Sequence, residues 1–101
     1  MKYGRPVLAV VYETMSRELF TAVAGNGATM DGSPMRVSAK QELSLAVLAT
    51  AIPPTGATSP AEQAHALDLL RAMTNKVLVV RQMGSASLQL AYVAAGRLDG
   101  Y

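Results

Sequence analysis

Cysteine and tryptophan are absent from the 101 residues, and phenylalanine and histidine occur once each. Without cysteine there is no disulfide framework and no thiolate metal site, and the chain suits a reducing cytoplasm. Charge is scarce too: charged residues make up 16% of the chain against 50% hydrophobic. A domain this short has limited interior for so much apolar surface: either a compact, sheet-rich core holds it or, the favoured reading, it is buried against a second chain or a missing segment. The nine Lys and Arg residues, with a net charge of +2, are scattered from Lys2 to Arg97. No basic stripe interleaved with aromatics forms, so no nucleic-acid partner is expected.

A long hydrophobic span is also lacking. The apolar run at 43–52 is too short to cross a bilayer and contains Ser44 and Thr50. Near the N-terminus, Lys2 and Arg5 precede a short β-branched run at 6–12, but Glu13, Arg17 and Glu18 follow it instead of a small-residue cleavage site. That run therefore reads as a strand and not as a signal peptide. The expectation is a cytoplasmic protein with no membrane association.

What is present reads as one domain over 1–101, with antiparallel strands in 1–40 and alternating strands and helices in 41–101. Strands are expected at 7–12 and 18–23, the second with Leu19, Thr21 and Val23 on one face and Phe20 and Ala22 on the other. Gly25-Asn26-Gly27 reads as a turn and not as a phosphate loop, because no helical pattern follows it. Short strands at 28–30 and 35–37 flank Asp31-Gly32, a tight hairpin dipeptide. The continuous apolar run 43–52 suggests a strand covered on both faces, with a loop at 53–58 after it.

Ser59-Pro60-Ala61-Glu62 carries a helix start, with Ser59 as cap, Pro60 at the first helical position and Glu62 closing a capping box. That helix should present Ala66, Leu69, Leu70 and Met73 on one face and end near Asn75. A strand at 77–82, a helix at 85–95 stopped by Gly96, and a strand opening at 98–101 complete the pattern. The fold class expected is α/β with an α+β tendency: an N-terminal antiparallel β-meander followed by a β-α-β-α-β unit.

Ligands of open α/β sheets sit beyond the C-terminal strand ends. Two such ends are visible, the loop after Ile52 and the Gly84-Ser85 turn; at the turn a strand runs directly into a helix whose first N–H groups have no intrahelical acceptor. A phosphate or polyol hydroxyl can be held there by backbone groups and the Ser85 hydroxyl. The alternative is that Gly84 only permits close strand–helix packing and Ser85 only caps the helix. Arg81, at the same end of the sheet, either faces an anion or covers a sheet edge. Met83 is expected to lie beneath the turn.

The segment Arg81-Gln82-Met83-Gly84-Ser85-Ala86-Ser87-Leu88, followed by Ala91-Tyr92-Val93-Ala94-Ala95-Gly96-Arg97-Leu98-Asp99-Gly100-Tyr101, resembles the late core of the inositol monophosphatase family. The earlier blocks 6–12, 17–23, 25–28 and 31–38 are similar, in order and spacing, to that family's central antiparallel strands. The resemblance implies a fragment of the inositol monophosphatase-like sandwich. It also makes Gly84, Ser85 and Ala86 the substrate-binding candidates, because the matching residues of the family lie against the substrate ring. The implied ligand is a phosphorylated polyol.

Catalysis is another matter. Metal-assisted ester hydrolysis needs clustered carboxylates, since Mg²⁺ takes hard oxygen ligands. The seven acids are Glu13, Glu18, Asp31, Glu42, Glu62, Asp68 and Asp99, and none has a partner at ligand spacing. The family's Asp-Pro-(Ile/Leu)-Asp-Gly-Thr metal motif would precede residue 1, and its late Trp-Asp motif would follow Tyr101. Glu13-Thr14 also departs from the family's Asp-Pro in that turn. His65 has no nucleophile spaced to it, and none of Ser38, Ser44, Ser85 or Ser87 sits in a Gly-x-Ser-x-Gly elbow.

The expectation is thus no catalytic residue, no metal ligand and no cofactor within this chain, Mg²⁺ belonging to the full-length family. Two functions remain open. One is a partial sugar or inositol phosphate monophosphatase domain, inactive alone. The other is a non-enzymatic domain that associates with itself, as a homo-oligomer, or with a partner.

Overall fold

The computed structural model describes residues 3–52 and 58–101. Strands β1 (Leu8–Glu13), β2 (Glu18–Val23), β3 (Ala28–Met30) and β4 (Ser33–Pro34) form an antiparallel sheet in that order. Register pairs Leu8 with Val23, Tyr12 with Leu19, and Phe20 with Met30. With side chains alternating across the sheet, Phe20 and Ala22 face inward and Leu19 and Val23 outward, as the sequence pattern suggests. Thr21 and Thr29, paired on the outer face, join their hydroxyls at 2.8 Å.

The fourth strand is shifted from the expected 35–37. The two-residue Asp31-Gly32 turn sets Ser33 directly opposite Met30, so pairing begins at once. One further bond, from the Met35 N–H to the Ala28 carbonyl at 2.9 Å, ends the ladder.

The run 43–52 differs more. Leu43–Leu45 is a turn of 3₁₀ helix, closed by the N–H of Leu45 on Glu42 and of Ala46 on Leu43. Only Val47–Ala49 is strand, β5. Leu43 and Leu45 are about half exposed, while the small residues Ala46 and Ala49 are buried. Composition marked the run as buried; size decided which of its residues are.

Helix α1 (Pro60–Thr74) begins as written in the sequence. Ser59 Oγ accepts the Glu62 N–H at 3.2 Å and Glu62 Oε2 accepts the Ser59 N–H at 2.9 Å. Its sheltered stripe is Gln63, Ala66, Leu70 and Met73; Leu69, expected there, is exposed. Strand β6 (Val79–Arg81) is shorter than the expected 77–82 and runs parallel to β5, with Val47 opposite Val79. The loop expected at 53–58 falls mostly outside the described residues.

Helix α2 (Ala86–Ala94) has Ser85 as its N-cap, and its chain then turns at Gly96. Of the expected last strand, a parallel bridge from Gly100 to Leu48 is formed, supported by Ala49 N–H to the Gly100 carbonyl at 2.9 Å. Among the described residues no helix is long and apolar enough to cross a membrane.

The two halves meet at Phe20, Tyr92 and Arg97. Phe20 is buried and meets Tyr92 edge-on at 5.9 Å. The Arg97 guanidinium lies 5.0 Å from the Tyr92 ring centre and 5.8 Å from that of Phe20. It also grips Glu18 with both nitrogens, Nη1 to Oε1 at 2.7 Å and Nη2 to Oε2. Such stacked and bidentate contacts suit the planar guanidinium and not an ammonium.

Candidate functional site

Strand β6 ends at Arg81, and five residues later α2 is under way. Between them Gly84 has φ 88°, a left-handed conformation in which a side chain is strained. Ser85 then holds the helix start, its Oγ accepting the Leu88 N–H at 3.3 Å and lying 3.4 Å from Ser87 Oγ. The capping role weighed against a ligand role is therefore real. The first N–H groups of α2 still have no intrahelical acceptor, and the Ser85 hydroxyl shares a hydrogen bond with that of Ser87.

Gly84, Ser85 and Ala86 are brought together, and all three are exposed. Arg81 is exposed at the same strand end. Met83 is 44% exposed and so is not tucked beneath the turn.

Hollows lie elsewhere. One of about 290 Å³ separates the inner face of the antiparallel sheet from α2, lined by Ala9, Phe20, Ala22, Leu90 and Ala91 among others. Ser87 reaches it, but residues 84–86 do not. A second, of about 480 Å³, is bordered by Ser38, Lys40, Glu42, Leu98 and Asp99. The turn is thus an open surface that lines neither hollow.

Five of the seven acids are engaged in structure. Glu13 accepts the Met15 N–H at 2.8 Å and Asp31 accepts the Leu19 N–H at 2.8 Å. Glu62 closes the helix cap. Glu18 is held by Arg97, which, with a Ser16 hydrogen bond, lowers its pKa from 4.5 to about 2. Asp99 accepts from Val47 N–H at 2.7 Å and Lys40 Nζ at 2.9 Å. Its carboxyl falls from 3.8 to about 2, through hydrogen bonds from Ser38, from the Val47 N–H and from Lys40 in that order.

Among the described residues no three acidic or histidine side chains gather as a metal site would require. The residues present do not fit a Mg²⁺ centre. His65 is exposed on α1.

Two features escaped the sequence reading. Asp99 ties the segment after residue 97 to Lys40 and β5, 59 and 52 residues away, a distance at which no local pattern speaks. Gln89 is fully buried in α2 and accepts the Met83 N–H. Its signal was available: between Leu88 and Leu90 on an almost wholly apolar helix, a glutamine has little polar face to share.

With this geometry in view, comparison with known proteins is decisive. The sequence profile of the inositol monophosphatase family matches residues 1–101. The chain belongs to the inositol monophosphatase family. It is 43% identical over 100 residues to an inositol-1-monophosphatase of Rhizobium meliloti, covering 99% of this chain and 36% of that protein. It is 41% identical over 100 residues to Nus factor SuhB of Escherichia coli strain K12, covering 97% of this chain and 36% of that protein.

The family fold is matched in three dimensions as well. The crystal structure of extragenic suppressor protein suhB from Bartonella henselae superposes with a TM-score of 0.86 at 39% identity, over 94% of this chain and 35% of that one. The chain therefore spans little more than a third of the curated family members it matches.

Proposed function

We propose that this chain supplies the polyol-holding side of a phosphate-monoester hydrolase site, in a cytoplasmic setting, and does not hydrolyse phosphate esters by itself. The observation that carries the reading is the Gly84-Ser85-Ala86 turn, exposed at the end of β6 with the N-terminus of α2 behind it. Backbone N–H groups and one hydroxyl suit hydroxyl and phosphate oxygens. The family relationship supports an inositol monophosphate or a related sugar phosphate as the ligand. Scattered basic residues favour such a small ligand over nucleic acid.

What is missing is the ion-holding part. Activating water and neutralising a phosphoryl group needs grouped carboxylates, whereas Glu13, Glu18, Asp31, Glu62 and Asp99 each have a structural partner of their own. Those carboxylates must come from outside these residues, from further segments of the same fold or another chain.

The test is phosphate release from inositol monophosphate with added Mg²⁺. No turnover above the buffer control is expected. Metal-dependent turnover by the purified chain, lost in Gly84→Trp, would contradict the reading.

One observation favours self-association as a second function. The outer face of the antiparallel sheet presents Leu8, Val10, Tyr12, Leu19 and Val23, all exposed, beside the open edge of β1.

A further inference from the structure

Gln89 is the single fully buried polar side chain among the described residues. The two ends of its amide have different fates. Oε1 accepts the Met83 N–H at 3.2 Å, while Nε2 has no hydrogen-bond partner. Met83 offers only a donor at this point, so the amide must turn its oxygen there. From the same residue, the backbone N–H donates to the Ser85 carbonyl at 3.0 Å. Gln89 therefore grips the chain on both sides of Gly84.

That grip matters because sterics do not supply one. Apart from its own chain neighbours, no heavy atom lies within 4 Å of where a Cβ of Gly84 would be. Gly84, at φ 88°, has no contact of this kind to hold it. The Ser85 cap fixes the helix start but not the direction from which the strand arrives. Among the described residues, the Met83–Gln89 hydrogen bond ties the strand side of the turn to the helix.

The cost of this arrangement is also visible. A buried amide nitrogen without an acceptor lowers stability relative to an apolar side chain of the same length. Packing alone would be served better by methionine.

We propose that Gln89 is the positioning residue of the 83–86 turn, its Oε1 setting through the Met83 N–H the direction in which Gly84, Ser85 and Ala86 present their groups. The consequence for ligand binding rests on the polyol-phosphate reading of that turn; the clamp itself does not.

The test uses the full, isotope-labelled chain in solution. A through-hydrogen-bond scalar coupling between the Met83 nitrogen and the Gln89 side-chain carbonyl is expected in the unaltered protein. Gln89→Met should melt no lower than the unaltered chain, yet its Met83 amide should exchange about tenfold faster. Inositol monophosphate should then bind roughly tenfold more weakly, as expected of a mis-set contact surface. Gln89→Glu keeps an acceptor oxygen at the same reach and should restore both.

A purely structural role predicts the opposite pattern, a lower melting point with the affinity unchanged. Absence of the coupling, or wild-type Met83 exchange in Gln89→Met, overturns the clamp. So does undiminished affinity in Gln89→Met once its Met83 amide is deprotected. If the probe shifts none of the 84–86 amides in the unaltered chain, the polyol-phosphate reading falls, and coupling and exchange still decide the clamp.

Discussion

At the residue scale, two glycines separate conformational strain from crowding. Gly84 at φ 88° has open space around it, so Gly84→Ala should cost only the backbone term, roughly 1 kcal/mol. Gly96 at φ 79° has the Arg36 carbonyl 2.9 Å from where a Cβ would sit. Gly96→Ala therefore adds a clash with backbone to the same strain. Urea unfolding of both variants should place Gly96→Ala clearly below Gly84→Ala; equal midpoints would mean that the 36–38 segment yields freely.

Acid stability belongs to the same scale. Glu18 and Asp99 have carboxyls held at about 2 when folded, against ordinary values of 4.5 and 3.8. Depressed folded values contribute stability that is complete above the ordinary range and lost as the pH falls toward 2. Melting midpoints should thus decline between about pH 4.5 and pH 2. A Glu18→Gln, Asp99→Asn double variant should melt lower at neutral pH and show a flatter decline. An unchanged acid slope would mean that other carboxyls carry it.

Neither of these long-range partnerships was legible beforehand. Arg97 and Glu18 are 79 residues apart, and a sequence read in windows shows two charged residues but not their pairing.

At the scale of elements, legibility followed locality. The start of α1 was readable because its capping box is written within four adjacent residues, with Ser59, Pro60 and Glu62 each used. Ser59→Ala should destabilise by about 1 kcal/mol, with fraying of the first turn visible as faster amide exchange there. No change in either would mean that Pro60 alone sets the helix start.

The meander was readable because alternation and turn dipeptides agree, as at 18–23 and Asp31-Gly32. The run 43–52 was not. Its leucines and alanines are equally apolar, and only packing shows that the alanines fit inside and Leu43 and Leu45 do not. In α2 the difficulty is reversed: a polar letter, Gln89, occupies a buried position. The turn at 84–86 was legible as a strand–helix junction, but the bond that orients it was not.

For the whole molecule, the buried hydrophobic residues among those described are one phenylalanine, one leucine and three alanines. Phe20 bears much of that burden, so Phe20→Ala, at about 3–5 kcal/mol, should remove most of the stability expected of a small domain. Leu8, Val10 and Tyr12, at 63%, 57% and 54% exposure, form an apolar row on an edge strand. Association at micromolar concentration should be visible by sedimentation, and Val10→Lys should shift it toward monomer without lowering the melting point. A monomer at every concentration would remove the second function.

The polyol-holding role proposed for the 84–86 turn is tested most directly by titrating inositol monophosphate into the labelled chain, with and without Mg²⁺, while following backbone amide shifts. Shifts centred on Gly84, Ser85 and Ala86, indifferent to Mg²⁺ and without free phosphate appearing, are the predicted result. Shifts centred instead on Lys40 and Asp99, or phosphate accumulating as Mg²⁺ is added, would contradict it.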